Sequence, residues 1–280
     1  MKANRIFQTS DLEFWANVKL LNQRLGYYNK KSDFMIPTKK QIVEVFNNNN
    51  FDVSKIVIDG KLTKFGSKII NYFEFRKQVL NDDVKPMLLD VIKAKSIFQE
   101  LKKELNPNCP LPMNKQKGNK KDFAFFTCII NMLIESNSKG FSCNYDPREL
   151  TAFTKNNSPF RILSRRVDGA FPNIINPVAI WEIKEYYYTT TFGSRVADGV
   201  YESLLDGLEL QEVDNSLNIN TQHIFMIDDY NTWWNMGKSY LCRIIDMLHM
   251  GLVSEVLFGE EVIEKLPILV NEWMDILNNK

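Results

Sequence analysis

The sequence predicts a mixed α/β fold, with a mixed β-sheet flanked by helices and an N-terminal helical domain ahead of it. Three observations carry that expectation. Two short apolar runs rich in strand-favouring residues, Pro177 to Ile183 and His223 to Ile227, are too short for helices and are bounded by turn residues. Longer segments with apolar residues at helical spacing precede, separate and follow them. Between the halves, Asn106 to Lys121 sets Pro107, Pro110, Pro112 and Gly118 among lysines, a composition that suits neither helix nor strand. The expected division is therefore a helical domain over 1–105, a linker over 106–121 and a sheet-bearing domain over 122–280.

In chain order, Ser10 and Glu13 have the spacing of a capping box, and Leu12 to Leu21 supply a helix ending at Gly26. Pro37 and Thr38 introduce a second helix with Ile42, Val43, Val45 and Phe46 inward, stopped by Asn47 to Asn50. A third, Leu62 to Leu80, places Phe65, Ile69, Ile70, Phe73 and Val79 inward and Lys64, Lys68, Arg76 and Lys77 outward. A lysine-rich fourth covers Val84 to Leu105. Beyond the linker, Asp122 to Asn137 reads as a helix with a wide apolar face, Phe141 to Tyr145 as a short strand and Pro147 to Phe153 as a helical turn. Phe160 to Phe171 is expected as a strand. After Thr191 a helix opens with Ser194 as N-cap and Val196, Val200, Leu204 and Leu208 inward, and the tail from Thr232 to Leu277 reads as helical. Its apolar surplus would cover the sheet or form a dimer interface.

The stretch Val167 to Tyr188 is the most informative. Pro172, Asn173, Asn176 and Pro177 predict a turn centred near Ile174 and Ile175, so Asp168 should face Trp181 or Glu182 across an antiparallel hairpin. Strand residues two apart share a face, which groups Glu182 and Lys184. A buried Glu and Lys are costly unless paired, bound to metal or used in chemistry. Two carboxylates with an ammonium form a hard-oxygen site of the kind that suits Mg²⁺.

Asp168, thirteen intervening residues and then Glu182-Ile183-Lys184 at the end of an apolar strand resemble the PD-(D/E)xK nuclease superfamily, which includes most type II restriction endonucleases. The likeness spans roughly 121–229, and Val167 stands where the name-giving proline would be. It implies a restriction-endonuclease-like core, with Asp168 and Glu182 binding Mg²⁺ and Lys184 positioning or activating the attacking water. A first helix in that family often adds an acid to the metal site, and Glu135 is the candidate here. The plainer alternative is a solvated Glu-Lys pair of small energetic weight.

Charge adds a second line. Residues 1–121 carry 20 Lys and 3 Arg against 12 acids, a net +11, while the remainder nets −10, although the whole chain is only +1. A basic module joined to an acidic, metal-type module suits a polyanion substrate such as double-stranded DNA. Arg161, Arg165, Arg166, Ser194 and Arg195 are candidate phosphate ligands near the hairpin. Lys64, Lys68, Arg76, Lys77, Lys115 and Lys117 are candidates in the basic half. The same lysines would equally serve as solvated faces of a helical scaffold, and the arginines as charges on an edge strand.

Four scattered cysteines and two histidines disfavour disulfides, zinc and His-based nucleophilic chemistry, and suggest a reducing cytoplasm. Neither a signal peptide, a membrane span nor a P-loop for a nucleotide cofactor is expected. The leading expectation is a Mg²⁺-dependent type II restriction endonuclease acting as a homodimer on a short duplex site. The alternatives are a repair, mobile-element or phage-defence nuclease with little sequence preference, and a non-catalytic DNA-binding regulator.

Overall fold

Capping side chains start the N-terminal helices in the computed structural model, which describes residues 1–29, 32–115, 118, 121–190 and 192–279. After a single turn, α1 (Arg5–Gln8), comes α2 (Leu12–Leu25), whose N-cap is Asp11 rather than Ser10: the Asp11 carboxylate accepts the Phe14 N–H at 2.9 Å. Thr38 and Gln41 form the reciprocal capping box of α3 (Lys39–Asn48). A small ribbon, β1 (Val57–Ile58) with β2 (Lys61–Leu62), leads to α4 (Lys64–Val79), capped by Thr63. Phe14, Trp15, Ile42, Phe46, Ile69, Tyr72 and Phe73 pack these helices together.

Arg76 departs from the outward basic face expected on α4, of which Lys64 is exposed and Lys68 and Lys77 are partly so. It is 1% exposed, and its guanidinium donates to both carboxylate oxygens of Asp246, at 2.9 and 3.0 Å, and to Asn22 Oδ1 at 2.9 Å. Tyr72 donates its hydroxyl proton to the same carboxylate at 2.6 Å. Helical spacing could not reveal this, because Asp246 arrives from 170 residues downstream.

A π-helical turn, Leu80–Val84, separates α4 from α5 (Val91–Leu105), so the fourth helix begins later than expected. α5 packs beside α6 (Phe125–Asn137) through Ala94, Phe98, Phe125 and Ile129, against the sheet. The Pro-rich segment after α5 is held along α6: Asn131 donates to the Pro110 carbonyl at 2.8 Å and the Ala124 N–H to that of Pro112 at 2.9 Å.

Next come β3 (Asn144–Tyr145), β4 (Ala152–Lys155), β5 (Ser158–Ile162), β6 (Gly169–Phe171) and β7 (Ala179–Glu185). After them run α7 (Ser194–Leu217), β8 (Gln222–Asp228), a π-helical turn (Asn231–Met236), α8 (Lys238–His249), β9 (Glu255–Phe258) and α9 (Glu261–Asn278). The sheet order is β3-β6-β7-β8-β9, antiparallel from β3 to β7 and parallel from β7 to β9, so the sheet is mixed. Trp181, Ile224, Met226 and Leu257 face α5, α6 and α9, with Trp181 stacked on Trp273 at 5.8 Å. Phe225, Ile227, Val256 and Phe258 face the other side, where Val200 of α7 and Leu241 of α8 cover them.

Four further expectations change. Residues 152–155 form β4 instead of a helical turn and pair with β5 through the two-residue loop Asn156-Asn157, both at positive φ. The strand expected over 160–171 is split into β5, in that ribbon, and β6, in the main sheet. The tail contains β9, which the N-terminus joins: the Met1 ammonium donates to the Val256 carbonyl at 2.6 Å. On α7, Leu208 is 45% exposed, and Gly207 instead approaches the Leu252 carbonyl so closely that a Cβ would lie 2.1 Å from it.

Candidate functional site

The hairpin register determines where the three sequence-selected residues fall. Gly169 pairs with Trp181 and Ala170 with Ile180, so Asp168 is set opposite Glu182, the second of the two partners that the turn residues allow. The Asp168 N–H donates to the Trp181 carbonyl at 3.1 Å and to Glu182 Oε1 at 3.2 Å, and the Asp168 carboxylate accepts the Ile183 N–H at 2.8 Å. Gly169 permits this register because Trp181 lies across it; a Cβ there would stand 2.1 Å from the indole ring. Ile180, Glu182 and Lys184 alternate onto the α7 side of β7, the first in an apolar cluster with Leu210 and Val213.

Glu182 is fully buried and fully engaged. Arg165, from the loop between β5 and β6, approaches Oε1 at 2.8 Å and donates to Oε2 at 3.0 Å, and Lys184 Nζ donates to Oε2 at 2.9 Å. Burial alone would raise the Glu182 carboxyl, but Lys184 and Arg165 outweigh it and hold the group below its usual value. For Lys184 the desolvation penalty is outweighed by Glu182 and Asp168, which keep the ammonium charged. Asp168 lacks a direct cationic partner among the described residues, and burial with repulsion from Glu182 pushes it up to about 6. The residue as a whole is half-buried.

Helix α7 contributes acids that the sequence reading missed. Asp206 binds Arg165 at 2.6 Å, while Glu202 lies 3.2 Å from Lys184 and 3.4 Å from Arg165. Burial, partly offset by Arg165, holds Asp206 up at about 7. Glu209, one turn further, takes Arg161 at 2.7 Å and the Ser164 hydroxyl at 2.6 Å, which fixes the loop that carries Arg165. The 202, 206, 209 spacing was the available signal, since it puts three carboxylates on one stripe of a helix. Gly199 on the same helix clears room for Lys184, whose Cδ and Cε would lie 3.0 Å from a Cβ there.

The remaining candidates are scattered. Arg161 and Arg165 are held by acids in this state, and Arg166 is exposed. Ser194 is the first residue of α7 and not its cap, which is Gly193; it is exposed and separated from β7 by residues 186–193. The Arg195 side chain and Lys117 lie outside the described residues. Glu135 does not join the group: its carboxylate accepts the Asn108 N–H at 2.9 Å near the far end of α6, whereas β7 meets that helix at Thr127. Lys64 and Lys115 are exposed, Lys68 sits 5.1 Å over the Phe14 ring and Lys77 pairs with Asp33 at 2.6 Å. A cleft of about 510 Å³ lined by Lys95, Phe98, Lys102 and Phe123 includes none of the three hairpin residues. Among the described residues, no three acidic, His or Cys side chains are arranged to hold a metal unaided.

Residues 89–273 match the family model described as Domain of unknown function (DUF7687). The chain belongs to the DUF7687 family. Residues 1–83 match a second model, Domain of unknown function (DUF7690). The DUF7687 segment starts just before α5 and contains the whole five-stranded sheet, the hairpin and α7. Its start agrees with the packing of α5 against α6, which groups α5 with the sheet. No curated protein and no solved structure matches the chain. No helix among the described residues is long and apolar enough to cross a membrane.

Proposed function

We propose that this DUF7687 protein is a Mg²⁺-dependent deoxyribonuclease, and more specifically a type II restriction endonuclease acting as a homodimer on double-stranded DNA. The observation that carries the reading is the β6–β7 register, which opposes Asp168 to Glu182 and sets Lys184 on the same side of β7. Leaving aside the β4–β5 ribbon, which lies between β3 and β6, the main-sheet succession of β3, β6 entered by Asp168, β7 bearing Glu182 and Lys184, α7 and parallel β8 supports the nuclease resemblance. The strong sign asymmetry between the N-terminal and C-terminal halves supports a polyanionic substrate.

The donor set suits a hard divalent ion. Asp168 and Glu182 supply carboxylate oxygens on facing backbone positions, and the high proton affinity of Asp168 reflects its burial first and the neighbouring Glu182 charge second. Two carboxylates are few for a structural cation cage but suit an ion that also takes water and phosphate oxygens. Bound Mg²⁺ would supply Lewis-acid polarisation of the phosphoryl group and a more acidic water. Lys184, kept charged by its acidic neighbours, orients the attacking water and stabilises negative charge developing on the phosphate. Gly199 leaves room for the Lys184 stem, whose ammonium donates to Glu182.

Incubation of the purified chain with unmethylated phage DNA and Mg²⁺, beside Lys184→Ala, tests the reading. Discrete fragments from the native chain alone are expected for a restriction enzyme. A continuous smear would instead favour a repair or defence nuclease with little sequence preference. Intact DNA with both proteins, despite a folded chain and bound Mg²⁺, would remove the nuclease reading and leave a binding protein.

A further inference from the structure

Three carboxylates from two elements converge on one guanidinium. Arg165 lies 2.8 Å from Glu182, 2.6 Å from Asp206 and 3.4 Å from Glu202, and Lys184 bridges Glu182 and Glu202 from the other side. With Asp168 the group holds four acids against two cations, a formal deficit of two positive charges, with Glu182 and Asp206 fully buried and Glu202 at the solvent edge. Asp206 is 0% exposed, and among the described residues no donor reaches its Oδ1. Such a group is short of one divalent ion, yet Glu182 has no oxygen free for it.

We propose that Arg165 is an exchangeable internal cation. A divalent ion arriving at Asp168 and Glu182 displaces the guanidinium from Glu182, leaving Arg165 tethered to α7 through Asp206 and free to turn its other edge toward a substrate phosphate. The inference rests on the reading of Asp168 and Glu182 as cation ligands. Its chemistry is competition for one carboxylate, and the guanidinium is well placed for it: it hangs from an irregular loop on a long stem, and its side chain retains 21% exposure. Asp206 and Glu202 act as the holding position of the displaced arginine and not as ligands. Arginine interposed among the acids also accounts for the lack of a preformed three-carboxylate cage among the described residues.

The test is Mn²⁺ binding by calorimetry, with thermal shift as a second readout, on the full chain without DNA. Arg165→Met is expected to bind Mn²⁺ at least tenfold more tightly than the native chain and to gain more in melting temperature on Mn²⁺ addition. Asp206→Asn, which removes the holding position of the displaced arginine without touching Glu182, is expected to weaken Mn²⁺ binding by only a few fold. Unchanged or weaker binding by Arg165→Met overturns the proposal, as does a tenfold loss in Asp206→Asn, which would make Asp206 a ligand. If Arg165→Met does not fold, Arg165→Gln, which keeps a polar side chain in the loop, is read in its place with the same two outcomes. Tighter Mn²⁺ binding without any DNA cleavage would uphold the exchange and sink only the nuclease reading.

Discussion

Glu182 and Glu185 stand three residues apart on β7, on opposite faces of one strand, and are treated differently. Glu182 meets Arg165 and Lys184 and is held ionised. Glu185 points under the first turn of α6, where the Thr127 N–H and hydroxyl donate to it at 3.0 and 3.1 Å. Its strand neighbour Asp228 accepts the N–H groups of Leu89 and Asp229, both at 2.8 Å, and the Tyr187 hydroxyl. Among the described residues neither rear acid has an ion pair, and burial pushes Glu185 up to about 7 and Asp228 to about 8. Backbone dipoles can satisfy a buried carboxyl without keeping it charged, whereas facing cations preserve the anion. Of the two glutamates, Glu182 is therefore the one held as a carboxylate.

The sharpest way to break this contrast is to neutralise each glutamate in turn. Under the proposed function Glu182→Gln should cut DNA cleavage by roughly 10³-fold, because it removes a metal ligand together with the partner of Lys184. Glu185→Gln should leave cleavage within a few fold, since glutamine can accept the same helix N-terminal hydrogen bonds. Rates must be normalised to the folded fraction by circular dichroism, as the Arg165 and Lys184 charges lose a partner in the first variant. Equal losses in both would mean that the two faces are not functionally distinct.

Next in size is an effect on the register itself. Gly169→Ala would drive a Cβ into the Trp181 ring and push β6 off β7, at a cost of about 3 kcal/mol in denaturant unfolding. Gly193→Ala, whose Cβ would meet nothing within 4 Å, is the steric control and should cost no more than about 1 kcal/mol, the size of a weakened helix cap. A tolerated Gly169→Ala would show that the opposition of Asp168 to Glu182 is not fixed by this close approach.

The front face was more legible in the sequence than the rear for a physical reason. Turn residues set the pairing of Asp168 with Glu182, and strand alternation grouped Glu182 with Lys184, both local rules. Arg165 and α7 needed tertiary information: the arginine could be placed near the hairpin, but two of its three acidic partners come from a helix whose rotation the sequence leaves open. Leu208 shows the consequence, since counting it as inward tilted the helix away from Glu202, Asp206 and Glu209. Strand β9 was hidden among helical periodicities because four consecutive buried residues suit either element, although Gly251 and Gly259, both at positive φ, flank it. The Asn156-Asn157 loop was a readable hairpin signal, matching the two positive-φ positions of a type I′ turn. Glu185 was passed over because nothing local tells which helix end will cover a strand terminus.

The rear acids supply the smallest but most specific prediction. Asp228 has a folded-state value of about 8, above that of the unfolded carboxyl, so the fold binds the extra proton. Its favourable contribution is fully present below the unfolded value and is lost as pH rises through about 8. An asparagine side chain at this position would imitate the neutral acid: its carbonyl can accept from Leu89 and Asp229, and its amide can donate to Tyr187. Asp228→Asn should therefore be the more stable protein at pH 8.5, by about 2 kcal/mol or roughly 4 °C in melting temperature. The advantage should shrink steadily toward pH 4, where both proteins carry a neutral group in the folded state. A pH-independent difference would point to altered packing around Tyr187 and Leu89 rather than to a suppressed charge. A less stable variant at pH 8.5 would mean that Asp228 folds as an anion, and that the rear of β7 is as well matched in charge as the front.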